Sequence, residues 1–219
     1  MDKYFDIIRK CPLFDGIADS ELMGLMGCLD AKVMSFEKKY TIFTEGSRAK
    51  YLGIILSGSA QIIQLDYYGN RSIIHEIVPS ELFGEAFACA GVEAIPVSVI
   101  ANEDCDVLLI DCMRILHTCA NACGFHQRLI FNLMKDIATK AIMFQQKIEV
   151  IAKRSTREKL LAYLNIQARK SGSRSFQIPF DRQELADYLE VERSGLSAEI
   201  SKLRKEGIIN STKNSFELL

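Results

Sequence analysis

Residues 181–219, DRQELADYLEVERSGLSAEISKLRKEGIINSTKNSFELL, decide the fold of the last third of the chain. Asp181 is a typical helix N-cap before RQELADYL, and a tight EVE connection separates that segment from a second helical one, RSGLSAEISKLRKEG. The end, IINSTKNSFELL, predicts two short strands around a polar turn. The stretch therefore predicts a winged helix-turn-helix.

The two predicted helices have an apolar set and a polar outer face. The apolar set consists of Leu185, Ala186, Leu189, Val191, Leu196, Ile200 and Leu203. At the start of the second helix we expect Arg193, Ser194, Ser197 and Ala198 to face outward, where side chains can reach DNA base edges. The candidates for DNA phosphate contacts are Ser155, Arg182, Gln183 and Lys202. The alternative is a helical hairpin with an incidental basic face.

The charge of the chain is unevenly distributed. Its net charge is -1, yet residues 153–219 hold 13 lysines and arginines against 9 acidic residues. A modest basic excess indicates nucleic-acid binding only when a motif accompanies it. Here the predicted helix-turn-helix lies in the basic segment.

Short β-branched and aliphatic runs occupy residues 40–111. They are YTIFTE, YLGIIL, AQIIQL, RSIIHEIV, VSVIA and DVLLID, separated by polar turns such as EGS, SGS and YYGN. This spacing is typical of a sandwich or barrel, so we expect an antiparallel β-roll. Ahead of it, SELMGLMGCL has helical spacing and should cover one end of the roll.

A long helix is predicted after the roll. Apolar residues recur at alternating spacings of four and three: Ile130, Met134, Ile137, Ala141, Phe144, Ile148 and Ile151. This heptad seam predicts a dimer, the alternative being that it packs within its own chain. A second row, Leu129 and Leu133 with Phe125, could pack on the roll. Beyond it, Ser155 and Glu158 form a predicted capping box at the start of the next helix.

These patterns predict an α+β chain in three parts. They are an effector-sensing β-roll domain at 1–114, a long dimerisation helix at 115–153 and a winged helix-turn-helix DNA-binding domain at 154–219. The start of the chain lacks the features of a signal peptide, and no apolar run is long enough to cross a bilayer, so we expect a cytoplasmic protein without membrane contact.

The order of these segments resembles the bacterial superfamily of the cyclic-AMP receptor protein and the fumarate-nitrate regulator (CRP/FNR). The resemblance rests on EG at 45–46, LSG at 56–58, FGE at 83–85, KRSTREKLLAYL at 153–164 and the helix-turn-helix stretch. It implies a cyclic-nucleotide-binding-like double-stranded β-helix and a homodimeric transcriptional regulator of palindromic operators in double-stranded DNA, with RNA polymerase a possible partner. Many relatives have an arginine where this chain has Ala198, so its operator differs or Arg193 carries more of the readout.

The FGE segment raises the question of the effector. In cyclic-nucleotide-binding relatives, the Gly-Glu pair is followed by Arg-Ser or Arg-Thr, which neutralise the cyclic phosphate; this chain has Ile95 and Pro96. A phosphate buried without a cation pays a desolvation penalty, so cyclic AMP is not expected. The pocket that the resemblance implies comprises Phe83, Gly84, Glu85, Ile95, Pro96, Val97, Thr139, Ile142 and Met143. It is either open to an unidentified small-molecule effector or collapsed, with FGE as a structural turn.

The seven cysteines and three histidines suggest a competing sensor. In HTCANACGFH, Cys119, Cys123 and His126 would lie close together on a helix, where they could bind a metal or haem. A redox-, nitric oxide-, haem- or metal-responsive regulator is therefore an alternative. Their spacing matches no strong zinc pattern, and Cys123 falls on an extrapolated seam position, so packing is the competing interpretation.

An enzyme is not expected. The chain has no nucleophile elbow, no HExxH motif and no P-loop. The remaining alternative function is a regulatory dimer that does not bind DNA specifically.

Overall fold

The computed structural model describes residues 2–117 and 125–219. The chain divides into two compact units: residues 1–68 with 74–141, and residues 69–73 with 142–219. Within the described residues, no helix is both long and apolar enough to span a bilayer.

The first unit is a β-roll with helices around it. Its elements are α1 (Phe5–Lys10), α2 (Asp19–Cys28), β1 (Lys32–Phe36), β2 (Thr41–Phe43), β3 (Tyr51–Ser57), β4 (Ala60–Leu65), β5 (Arg71–Ile77), β6 (Leu82–Phe83), α3 (Glu85–Ala90), β7 (Ser98–Ala101), β8 (Cys105–Asp111), α4 (Cys112–Leu116) and the first part of α5 (Phe125–Ile151). Two four-stranded sheets form the roll, in the orders β1-β8-β3-β6 and β2-β7-β4-β5. The antiparallel roll is confirmed, whereas β1 and β6 were not predicted.

Two apolar clusters hold this unit together. One lies inside the roll, where Gly53 of β3 pairs with Phe83 of β6, and a Cβ at Gly53 would lie 2.2 Å from the Phe83 ring. The other joins the N-terminal helices to the outer face of the first sheet and includes Leu129 and Leu133 of α5. The predicted packing of that row is confirmed, with Phe125 partly buried against it.

The described residues of the predicted 115–153 segment do not form one continuous helix. α4 ends at Leu116, His117 has an extended backbone, and α5 runs from Phe125 to Ile151. Asn132 attaches α5 to the N-terminal turn, because its side-chain amide donates to the carbonyl oxygens of Leu13 at 2.9 Å and Asp15 at 2.8 Å.

The second unit contains the predicted winged helix-turn-helix. After the C-terminal part of α5 come α6 (Thr156–Ser171), β9 (Ser175–Gln177), α7 (Arg182–Leu189), α8 (Arg193–Lys205), β10 (Ile209–Thr212) and β11 (Ser215–Leu218). The three strands form an antiparallel sheet in the order β10-β11-β9. The predicted capping box at Ser155 and Glu158 is present.

Residues 69–73 contribute to this unit through two cations. The Arg71 guanidinium contacts the Asp187 carboxylate of α7 at 2.7 and 2.8 Å. The Lys147 ammonium of α5 donates to the carbonyl oxygen of Ile73 and lies 4.4 Å from the centre of the Tyr188 ring. Both cations contact residues in the C-terminal half of α7.

Candidate nucleic-acid interface

The helix-turn-helix is built by capping and by a shared apolar core. The Asp181 carboxylate accepts from the Glu184 amide at 2.8 Å, and the Glu184 side chain accepts from the Asp181 amide at 2.8 Å, so both begin α7. Six members of the predicted apolar set are buried, and Val191 is half-buried. The predicted core of this motif is therefore confirmed.

A sharp turn connects the two helices. Glu190 has a φ of 54°, in the left-handed region, and ends α7. The Lys159 ammonium of α6 donates to the carbonyl oxygens of Leu189 at 3.3 Å and Glu190 at 3.2 Å. A cation at the last carbonyls of a helix stabilises its end, so α6 supports the turn that orients α8.

The predicted readout residues lie in the first two turns of α8. Arg193, Ser194 and Ala198 are exposed and Ser197 is half-buried. On the opposite side of the same helix, Leu196, Ile200 and Leu203 are buried in the core. The helix thus offers a short polar face with one guanidinium at its start, an arrangement that can reach base edges in a major groove.

The four predicted phosphate residues lie in different environments. Lys202 is exposed on α8, whereas the Ser155 hydroxyl belongs to the cap of α6. The Gln183 amide donates to the Asp187 carboxylate at 2.8 Å. The Arg182 guanidinium is half-buried over the Phe216 ring and donates to the carbonyl oxygen of Lys213 at 3.1 Å.

Arg182 therefore supports the wing. Burial, together with the nearby Arg193 charge, lowers the pKa of its guanidinium. Its hydrogen bond holds the turn between β10 and β11, where Lys213 has a φ of 52°. Its remaining donors can still face a phosphate, but its removal would also disturb the wing.

The sequence analysis did not single out three exposed cations. Arg204 and Lys205 lie in the last turn of α8, and Lys213 lies at the tip of the wing. The signal for them was the basic excess of residues 153–219, which does not show which cations share a face.

An ion-pair network holds α6 against α8. The Arg157 guanidinium contacts the Glu199 carboxylate at 3.2 Å and the Glu206 carboxylate at 2.6 Å. These contacts raise the pKa of Arg157, chiefly through the hydrogen bond to Glu206. Glu199 of α8 and Glu206, which follows the helix, are thereby neutralised, and this leaves basic residues to dominate the exposed face of α8.

In the first unit, the glutamate of the FGE segment forms an ion pair with a lysine of the long helix. Gly84 has a φ of 77°, and a Cβ there would lie 2.6 Å from the Phe43 ring, so the turn requires glycine. Behind it, the buried Glu85 carboxylate accepts from the Lys140 ammonium at 2.9 Å. Lys140 also contacts the Asp136 carboxylate at 3.0 Å and donates to the carbonyl oxygen of Leu82 at 2.7 Å.

The cluster contains two carboxylates, Glu85 and Asp136, and one ammonium group, Lys140. Although burial opposes it, the carboxylates of Glu85 and Asp136 raise the pKa of Lys140. Burial raises the pKa of Asp136, which Lys140 partly offsets. The Glu85 carboxylate, which would face a ribose in a nucleotide site, is directed to an internal cation.

The other predicted pocket residues do not supply a cation. Ile95 and Val97 are buried with Phe83, whereas Pro96 is exposed. The backbone of Ile95 pairs with residues 46 and 47 through two 2.8 Å hydrogen bonds. Of the three α5 positions, Thr139 and Ile142 are exposed and Met143 is half-buried; the Thr139 hydroxyl donates to the carbonyl oxygen of Lys135.

The heptad seam of α5 is only partly exposed. Met134, Ala141 and Ile148 are exposed, whereas Ile130, Ile137, Phe144 and Ile151 are half-buried. Ile137 packs against the core of its own chain. Phe131 and Ile142, which were outside the predicted seam, are 59% and 60% exposed, so the exposed apolar stripe is rotated from it by about one position.

The predicted metal or haem site cannot be placed. Cys119 and Cys123 lie outside the described residues, and His126 is buried with Nε2 3.2 Å from the carbonyl oxygen of Arg114. In residues 2–117 and 125–219, no three His, Cys, Asp or Glu side chains are grouped to hold a metal ion.

Two family descriptions match the two ends of the chain. A cyclic nucleotide-binding domain matches residues 33–121, and a Crp-like helix-turn-helix domain matches residues 158–219. Among curated proteins, the transcriptional activator protein FnrL of Cereibacter sphaeroides is 23% identical over 187 residues, which cover 80% of this chain and 71% of FnrL.

Solved structures share the fold. FixK2 from Bradyrhizobium japonicum is 20% identical with a TM-score of 0.67, covering 86% of this chain and 92% of that one. The c-di-GMP-responsive global regulator CLP of Xanthomonas campestris is 16% identical with a TM-score of 0.73, covering 89% of this chain and 96% of that one. A CooA mutant from Carboxydothermus hydrogenoformans is 14% identical with a TM-score of 0.68, covering 89% and 85%.

Proposed function

Because the chain belongs to the CRP/FNR family of transcriptional regulators, we propose that it is a homodimer that binds a palindromic operator in double-stranded DNA through α8. The observation that carries the proposal is the N-terminal half of α8, where Arg193, Ser194 and Ala198 are exposed above a buried apolar face. Neither a metal nor an organic cofactor is part of the proposal.

The roles of the individual residues follow from their chemistry. Arg193 can donate two parallel hydrogen bonds to O6 and N7 of guanine, whereas the hydroxyls of Ser194 and Ser197 discriminate weakly and Ala198 offers a methyl contact. Lys202 is exposed beside this face and suits a phosphate. Arg182 and Gln183 contribute at the start of α7, and Ser155 at the start of α6.

The exposed stripe of α5 supports the dimer. Phe131, Met134, Ile142 and Ile148 are each 59–65% exposed on a helix of 27 residues. Large apolar side chains spaced in this way favour association with a second helix. A two-fold dimer would set two copies of α8 about 34–36 Å apart, one turn of DNA.

We propose that this regulator does not bind cyclic AMP as its effector. Glu85 is paired with Lys140, and Ile95 and Pro96 supply no cation for a cyclic phosphate. Isothermal titration calorimetry with cyclic AMP and cyclic GMP should therefore show no saturable heat. Binding of either nucleotide below millimolar concentration would contradict this part of the proposal.

We also propose a cytoplasmic location, since a regulator of this family acts on bacterial DNA, with RNA polymerase as a candidate partner.

Selection from random duplex DNA tests the proposal. The full-length protein, purified under reducing conditions, should enrich a palindrome whose half-site centres are one helical turn apart. The Arg193→Ala/Ser194→Ala/Lys202→Ala variant is the matched control, because all three changes lie on the exposed face of α8 and leave its core intact. Enrichment of no sequence by the wild-type protein, or of the same palindrome by the variant, would contradict it.

A further inference from the structure

Two cysteine side chains of the β-roll unit lie in contact. The Sγ atom of Cys89, on α3, is 3.4 Å from the Sγ atom of Cys112, the first residue of α4. Both are free thiols, as are the three other cysteines in the described residues, Cys11, Cys28 and Cys105. The two cysteines are 23 residues apart in the sequence, yet the fold places their thiols close enough to form a disulfide bond after a small movement.

The two thiols differ in access and in acidity. Cys112 is 1% exposed, whereas Cys89 is half-buried, so a small oxidant meets Cys89 first. A hydrogen bond from Cys112 lowers the pKa of Cys89, which favours the thiolate there. The same contact, together with burial, raises the pKa of Cys112. Since the thiolate is the reactive form, Cys89 is the nucleophile of the pair.

Two other buried cysteines differ from Cys89. Burial raises the pKa of Cys11 to about 12 and that of Cys105 to about 11. A buried thiol of this kind reacts slowly and serves packing. Cys105, in β8 of the same unit, is therefore a matched control.

We propose that Cys89 and Cys112 are a peroxide-sensitive thiol pair that closes to an intramolecular disulfide. The Cys89 thiolate attacks one oxygen of hydrogen peroxide, forming a sulfenic acid and hydroxide, and the hydroxide takes up a proton to become water. The Cys112 sulfur then bonds to the Cys89 sulfur; the S–O bond breaks, and the oxygen leaves as water with the thiol proton. Two thiols and one peroxide yield one disulfide and two waters.

The structure allows the required movement. The sulfurs must approach until they are about 2.05 Å apart, the length of a disulfide bond. α3 has only six residues and ends at Gly91, which has a φ of 64° and leads into the segment before β7. Because α3 begins at Glu85, the disulfide would act on the same short helix that carries the partner of Lys140.

Peptide mapping of the full-length protein tests the proposal. Reduced protein is freed of reductant, treated with hydrogen peroxide, alkylated and digested with trypsin, Glu-C and Asp-N proteases. We expect AFACAGVE (86–93) linked to DCMR (111–114), and complete loss of this species after dithiothreitol treatment. Absence of the linked peptide, or linkage of Cys89 to Cys119 or Cys123 instead, would overturn the proposal.

Variants assign the order of the two steps. In Cys112→Ser protein, dimedone should trap a sulfenic acid at Cys89, whereas Cys89→Ser protein should show no adduct at Cys112. Cys112→Ala repeats the first test without a buried hydroxyl. The Cys105→Ser protein and the Cys119→Ser/Cys123→Ser protein should both keep the linked peptide. Equal dimedone labelling of Cys105 and Cys89 in the Cys112→Ser protein would overturn the proposal. Because every readout is covalent, the result does not depend on DNA binding.

Discussion

Lys140 is the residue on which the charge balance inside the roll unit depends. Its ammonium contacts two carboxylates, Glu85 and Asp136, and its side chain is 14% exposed. A structural turn at FGE was one of two alternatives predicted from the sequence, and this ion pair was not predicted. Lys140 is 55 residues from Glu85, and only the packing of α5 on the roll decides which α5 side chain meets that carboxylate.

Replacement of Lys140 by methionine should therefore destabilise the protein. The variant keeps the aliphatic stem but leaves two buried carboxylates without their cation, a change that costs about 3–5 kcal/mol. Lys135→Met is the matched control, because Lys135 is on the same helix with a side chain that is 64% exposed. Urea unfolding at pH 7 measures both. Equal unfolding midpoints for the two variants would show that the buried ion pair contributes nothing.

Alanine variants of Arg193 and Lys202 should have different effects on DNA binding, because we assign base readout to Arg193 and phosphate binding to Lys202. We expect Arg193→Ala to lose about 1–3 kcal/mol of discrimination at one base pair of each half-site. Lys202→Ala should weaken binding to all sequences and lower the salt dependence by about one phosphate contact. Fluorescence anisotropy with the selected duplex and its point variants measures both. If Arg193→Ala leaves the base preferences unchanged while affinity falls uniformly, Arg193 is a phosphate contact.

At the scale of elements, the sequence predicted most where local signals agreed. The capping box at Ser155, the N-cap at Asp181, the apolar set of α7 and α8, and six of the strands are confirmed. β1 was missed because KVMSF (Lys32–Phe36) has no regular alternation of apolar and polar residues, and β6 because it has two residues. Pairing to β8 and β3 forms these strands, and no local pattern reports such pairing.

The long helix shows that periodicity alone does not determine which of its apolar residues face a second copy of the chain. A regular row of apolar residues predicts a packed face, but not whether the partner is the chain itself or another copy. Ile137 packs on the roll, while Phe131 and Ile142 are exposed. The rotation of α5 is set by Leu129, Leu133 and the hydrogen bonds of Asn132.

Charge placed on the exposed stripe should dissociate the proposed dimer. Met134→Glu/Ile148→Glu puts two carboxylates on side chains that are 65% and 61% exposed, so folding of the single chain is preserved. The Ser20→Glu/Gly24→Glu variant adds the same charge at exposed positions of α2, outside α5. Sedimentation velocity should show dimers of the 24.7 kDa chain for the wild type and control, and monomers for the stripe variant. A wild-type monomer at micromolar concentration would contradict the dimer.

The whole molecule combines a β-roll, in which the Glu85 carboxylate is paired with Lys140, and a winged helix-turn-helix, in which Arg193, Ser194 and Ala198 are exposed. The charge distribution showed that the last third of the chain is basic. The predicted helix-turn-helix in that third indicated that the basic residues bind DNA. The effector does not follow from the sequence, because the roll's pocket residues acquire their roles only through contacts with the long helix.

Hydroxyl-radical footprinting of the selected duplex tests whether two α8 helices of a dimer bind the DNA together. Two copies of α8 in adjacent major grooves should protect two patches of backbone, related by two-fold symmetry, with centres about 34–36 Å apart. The protection should be lost in the Arg193→Ala/Ser194→Ala/Lys202→Ala variant at equal protein concentration. A single unpaired patch, uniform protection along the duplex, or an unchanged footprint in the variant would contradict DNA recognition by paired α8 helices.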